Sequence, residues 1–119
     1  MSTQRFFPTA FLLAAALTLS MSAGPAFAEE LKTYDLELKD GVVTPNRLEV
    51  EAGTTFKIVI RNAGTKPAEF ESLRLRKEKV LGPGVTSFVV IRRLSPGTYE
   101  FYDEFSIDKD TAHGVIVAQ

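Results

Sequence analysis

Residues 95–119 run SPGTYEFYDEFSIDKDTAHGVIVAQ: a Pro-Gly turn, an alternation of aromatic and polar residues, an acidic loop, and the chain's only histidine opening an apolar run. Two-residue alternation puts Tyr99, Phe101 and Asp103 on one face of a strand and Glu100, Tyr102 and Glu104 on the other. Carboxylates at Asp103 and Glu104, with the His113 imidazole across the loop, are donors suited to Fe, Mn or Cu(II) far better than to Cu(I). Glu69 and Glu71 stand two apart on an earlier strand, so both point to one face with Phe70 on the other. Glu78 lies in a charged patch with Arg74, Arg76, Lys77 and Lys79. These six residues, Glu69, Glu71, Glu78, Asp103, Glu104 and His113, are the candidate metal ligands.

Each has a plainer reading. Glu69 and Glu71 serve equally well as exposed strand carboxylates, and Glu78 as half of a local ion pair on a solvated loop. Asp103, if it faces inward with Phe101, is a buried carboxylate that demands a partner: a metal, His113 or an arginine. Asp108 and Asp110 keep the loop soluble. His113 is either a ligand, a pH-sensitive group or an exposed loop residue. The cations Arg74, Arg76, Lys77 and Lys79 are either a docking patch for an acidic partner or ordinary solvated surface.

Composition narrows the classes. The chain has 119 residues, a formal net charge of −1 and no cysteine. That balance argues against nucleic acid as a partner, and the missing thiol removes both disulfides and thiolate metal ligands. A nucleophilic triad has no candidate, and so small a β-domain offers little cleft for a glycosidase carboxylate pair. Arg5, the apolar run 6–24 and Ala26-Phe27-Ala28 form the three parts of a secretory signal peptide. Residues 1–28 are therefore expected to be removed on export, and residues 29–119 to form a single domain, a size at which one core is modestly stable.

Past residue 28 the apolar positions alternate rather than recur at helical spacing. Tyr34-Leu36-Leu38, Leu48-Val50, Phe56-Ile58-Ile60, 68–75, 85–91, 99–104 and the final run read as strands. Asp40-Gly41, Pro45-Asn46, Ala52-Gly53, Asn62–Pro67, Gly82-Pro83-Gly84 and Pro96-Gly97 read as turns and loops. About seven to eight short strands divided by such turns predict an all-β, antiparallel Greek-key β-sandwich.

Val43-Thr44-Pro45, Leu48-Glu49-Val50, Ala52-Gly53, Phe56, Ile60 and Asn62-Ala63-Gly64, closing with Pro96-Gly97-Thr98-Tyr99, Phe101-Tyr102 and Gly114-Val115-Ile116-Val117, resemble the cupredoxin superfamily over residues 33–118. In that alignment Glu69 stands at the family's first copper histidine and Asp103 at its cysteine, and His113 lies one residue from the methionine. A type-1 blue-copper centre needs two histidines and a cysteine, which this chain lacks. Glu69-Phe70-Glu71-Ser72, Leu75, Glu78-Lys79-Val80, Pro83-Gly84 and Tyr99, Phe101, Glu104-Phe105 are similar to a narrower group. These are the small periplasmic cupredoxins of bacterial ferrous-iron permease systems (FtrB-like), related to the cupredoxin domain of EfeO-type proteins. Glu69, Glu71, Glu78 and Glu104 match that group's motif carboxylates. Asp103 replaces a small residue there, and His113 stands where glutamine also occurs.

The resemblance implies a periplasmic accessory of ferrous-iron uptake holding copper or iron. It would aid Fe(II) oxidation or hand iron on, with an inner-membrane iron permease and a periplasmic iron-binding protein as partners. Whether it is an enzyme, and whether it dimerises, the sequence leaves open. The alternative is a metal-free cupredoxin-fold module that docks on a periplasmic or membrane partner.

Overall fold

The computed structural model describes residues 3–4, 14–18 and 30–119. The expected signal peptide, 1–28, otherwise lies outside the described residues. Nine strands follow: β1 (Lys32–Lys39), β2 (Val42–Thr44), β3 (Arg47–Val50), β4 (Phe56–Asn62), β5 (Ala68–Ser72), β6 (Lys77–Leu81), β7 (Thr86–Ile91), β8 (Gly97–Asp103) and β9 (His113–Ala118). They form two sheets, ordered β2-β1-β4-β7 and β3-β9-β8-β5-β6.

The all-β sandwich is as the alternation predicted, with two differences in detail. Most of the charged patch at 76–79 belongs to a strand, β6, because an edge strand needs only one apolar anchor and Leu81 supplies it. Pairing is also mixed: β1 runs parallel to β4 and β3 parallel to β9, whereas the other ladders are antiparallel. Hydrophobic alternation reports which face is buried and carries no information on a neighbour's direction, so this could not be read from the sequence.

The core lies between the sheets. Leu36, Leu38, Phe56, Ile58, Ile60, Val89 and Ile91 line one inner face; Phe70, Leu81, Tyr99, Phe101 and Ile116 line the other. Phe70 and Phe101 lie on the paired strands β5 and β8 with ring centroids 5.4 Å apart. Next to Phe101, Gly114 on β9 is opposite in register and has no room for a side chain. A Cβ there would meet the Phe101 ring at 2.5 Å and the Asn46 carbonyl oxygen at 2.9 Å. Gly114→Ala is therefore expected to lower stability by about 1–3 kcal/mol through overpacking. The check is a urea midpoint that falls while the slope stays constant.

At the end of the sandwich, Asn62 is fully buried and ties three segments together. Its Nδ2 donates to the carbonyls of Lys66 (2.8 Å) and Leu81 (3.0 Å), and its Oδ1 accepts from the Gly64 N–H (3.0 Å). The clasp fixes the end of β4, the 63–67 loop and the end of β6, and so sets where β5 begins.

Candidate metal centre

Because Phe70 packs into the core, its neighbours Glu69 and Glu71 face outward from the five-stranded sheet. Register then decides what they meet. Glu71 is opposite Glu78 on β6 and opposite Tyr102 on β8, and Tyr102 is opposite His113 on β9. One row across four strands therefore reads Glu78, Glu71, Tyr102, His113. Since Phe70 pairs with Asp103, Glu69 comes level with Glu104, the first residue of the short 3-10 turn Glu104–Ser106. Directly opposed side chains on one face have Cβ atoms about 4.5–5.5 Å apart.

The electrostatics follow from that crowding. The Glu69 carboxyl is pushed above its ordinary value by partial burial, then by the charges of Glu78, Glu104 and Asp103. Glu71 is pushed the same way by partial burial, then by the adjoining Glu104 carboxyl, within hydrogen-bonding reach, and by the charges of Glu69 and Glu78. The Tyr102 phenol is also raised, by burial first and then by Glu71, Glu104 and Glu69. No lysine or arginine forms a salt bridge with these carboxylates; among the described residues the one such bridge is Arg47–Glu49 at 3.2 Å.

Asp103 has a different environment. It faces the core side of β8, is 2% exposed, and its Oδ1 accepts from the Glu69 N–H (3.0 Å) and the Phe105 N–H (3.2 Å). Its partners are thus two backbone amides, where the sequence suggested a metal, His113 or an arginine. By capping the turn, it also fixes Glu104 against β5. His113 is exposed; its Nε2 lies 2.7 Å from the Ile107 carbonyl oxygen, and its ring is 5.7 Å from that of Tyr102. The imidazole pins the 104–112 loop, with Nδ1 outside that contact.

The proposed docking cations do not make one patch. Arg74 donates to the Thr98 carbonyl and lies over the Tyr99 ring, 4.3 Å from its centroid. Arg76 holds a left-handed turn (φ 54°) leading into β6. Lys77 and Lys79 alternate with Glu78 along β6, so they fall on the opposite side from the carboxylate row.

Sequence reasoning missed three features. Tyr102 sits at the centre of the row; its shared face with Glu104 was legible, but its neighbours on β5 and β9 were not. Val80 and Phe105 remain 59% and 55% exposed beside the carboxylates. A cavity of about 650 Å³ opens at the sandwich end, lined by Lys66, Ala68, Val80, Asp103, Phe105 and Lys109 among others.

Donor chemistry limits what the molecule can hold. With one histidine and no cysteine it cannot assemble a His₂Cys copper centre, and the inward residue beside Glu69 is Ala68, which has no donor. The outward carboxylates, an imidazole and a phenol form an oxygen-rich set suited to Fe, Mn or Cu(II). As oriented, no three His, Asp or Glu side chains among the described residues converge on a single ion. For these donors to share one ion, exposed side chains would have to rotate.

Comparison with known proteins agrees with the fold. A family model for the cupredoxin-like domain matches residues 9–118. An uncharacterized protein of Rickettsia prowazekii (strain Madrid E) is 35% identical over 82 residues, 69% of this chain and 64% of that protein, so the chain spans under two thirds of its relative's length. Among solved structures, reduced auracyanin from Roseiflexus castenholzii superposes with a TM-score of 0.63 at 14% identity, over 74% of this chain and 97% of that one. The metal-binding domain of the Cu(I) exporting P-type ATPase CopA of Streptococcus pneumoniae gives 0.63 at 12% identity, over 73% and 84%. At such identities the structures speak for the fold alone, whereas the family model covers nearly the whole sequence: the chain belongs to the cupredoxin-like domain family.

Proposed function

We propose that this protein binds a transition metal ion, copper or iron, on the outer face of its five-stranded sheet and serves ferrous-iron uptake in the periplasm. The observation that carries the reading is the crowding of Glu69, Glu71, Glu78 and Glu104, from three separate segments, on one sheet face without a salt-bridging cation. Side chains that repel one another in the free protein gain most from a shared cation. When bound, the ion supplies redox or Lewis-acid chemistry that carboxylates lack. The chain's own part is positional: β5 and β6 hold three carboxylates in register, Asp103 holds Glu104 against them, and Tyr102 and His113 extend the donor row.

Several facts support the setting. One structural neighbour is a metal-binding domain with Cu(I), and it and the family's fold favour a metal-binding role. The signal-peptide pattern at residues 1–28 favours export to the periplasm. The FtrB-like resemblance favours a role in Fe(II) oxidation or delivery, with an inner-membrane permease and a periplasmic iron-binding protein as partners.

Titration of the purified protein with Cu(II), Fe(II) and Mn(II), followed by heat of binding and melting temperature, tests the site. Saturable binding is expected in the intact protein, abolished by Glu104→Gln and weakened by His113→Ala. A flat titration with all three ions would sink the site and leave the docking-module reading, which charge reversal at Arg76 and Lys77 would then probe.

A further inference from the structure

Four strands bound the two sheets among the described residues: β2 and β7 in one, β3 and β6 in the other. An unpaired edge templates further strand pairing, and proteins blunt such edges with charge, proline, bulges or shortness. Three of these edges are blunted in that way. β2 has only three residues; β3 has four, two of them joined as Arg47–Glu49; β6 carries Lys77, Glu78 and Lys79. The fourth, β7, is TSFVVI, six residues with no charge and no proline.

The hydrogen-bond phase of β7 shows which groups are free. The Asn62 N–H donates to the Val85 carbonyl at 2.9 Å. Counting by twos along the β4–β7 register, Ser87 and Val89 occupy the bonded positions opposite Ile60 and Ile58. Thr86, Phe88 and Val90 therefore direct their N–H and C=O groups away from β4. The Phe88 ring, on the outer face, is 53% exposed, with the Lys57 ammonium 5.3 Å from its centroid.

We infer that β7 is a self-association edge, pairing antiparallel with β7 of a second copy about a two-fold axis at Phe88. In that register Phe88 faces the partner's Phe88, and Thr86 faces the partner's Val90. The first charged residues, Arg92 and Arg93, fall beyond the seam, opposite the partner's Gly84 and Pro83. No like charges meet, and the outer faces join two exposed aromatic rings. The same operation on β6 would set Lys79 against Lys79, which like-charge repulsion opposes. A self-complementary, uncharged edge thus fits a second copy of this chain. The seam is short, about 20 Å for six residues, so the dimer is weak and shifts with concentration.

Sedimentation equilibrium over a micromolar-to-millimolar range tests this, together with amide exchange at each concentration. A monomer–dimer equilibrium is expected, with exchange at Thr86, Phe88 and Val90 slowing as concentration rises. Phe88→Pro removes an N–H that β4 does not use, and Phe88→Lys places like charges at the axis. Both should weaken association at least about tenfold, roughly 1.4 kcal/mol, while Val42→Lys on the β2 edge leaves it unchanged. A monomer throughout the range overturns the proposal, as β7 would then be open to another protein's strand. A dimer unaffected by Phe88→Lys, or exchange at Phe88 and Val90 independent of concentration, overturns it equally. The exchange measurement needs no variant and stands if Phe88→Pro fails to fold.

Discussion

Replacing Asn62 with aspartate is expected to cost about 3–5 kcal/mol, a large share of the roughly 5–15 kcal/mol that holds a domain together. The side chain is fully buried, and its amide nitrogen donates to two carbonyl oxygens, those of Lys66 and Leu81. Aspartate keeps the shape but sets a second oxygen against those carbonyls, removing two donors and adding a buried charge. The acceptor role toward the Gly64 N–H survives, so the loss isolates the donor side of the clasp. The pH dependence follows. Burial and the facing oxygens raise the new carboxyl's folded-state pKa, so the native state holds the proton more tightly than the unfolded chain. The variant should recover part of its stability as pH falls toward the ordinary aspartate range, because the protonated acid regains one donor. Urea unfolding at neutral and mildly acidic pH measures both effects. A loss under about 1 kcal/mol at neutral pH would show that the clasp is redundant.

Part of the site was legible in the sequence and part was not, because alternation and register carry different information. Strand alternation at 69–71 correctly put Glu69 and Glu71 on the face opposite Phe70, since one large buried aromatic fixes the phase of a short strand. Alternation at 99–104 likewise separated Asp103 from Glu104. What alternation lacks is register between strands distant in sequence. That Glu71 meets Glu78 on one side and Tyr102 on the other depends on the β5–β6 turn and on a β5–β8 pairing some thirty residues apart, which only the folded structure sets. The inward Asp103 was recognised as needing a partner, but two backbone amides leave no mark in composition. The parallel β1–β4 and β3–β9 ladders were hidden for the same reason, as direction is set by crossovers between the sheets.

The pH response of the carboxylate face should reverse in sign when a metal ion is added. In the ion-free protein Glu69 and Glu71 have pKa values raised above the ordinary glutamate value of 4.5 by burial and by neighbouring carboxylates. A raised folded-state value means the native state binds protons more tightly than the unfolded chain. These two groups therefore favour folding at acidic pH, and that contribution is lost as pH rises through 4.5 toward the raised values. Ion binding requires the deprotonated ligands, so affinity climbs over the same interval. At a free ion concentration near 100 times the dissociation constant the gain is about 2.7 kcal/mol, or roughly 10–20 °C in melting temperature for a domain of this size. Scanning calorimetry across pH 4–7, with EDTA in one series and Cu(II) in the other, is expected to give two curves that diverge as pH rises. Glu71→Gln removes one of the crowded charges, so the ion-free protein should melt higher at neutral pH while the ion-dependent gain collapses. A purely structural role for the carboxylates predicts the first change without the second. A gap between the curves that is constant with pH, or that survives in Glu71→Gln, would place the ion elsewhere on the molecule.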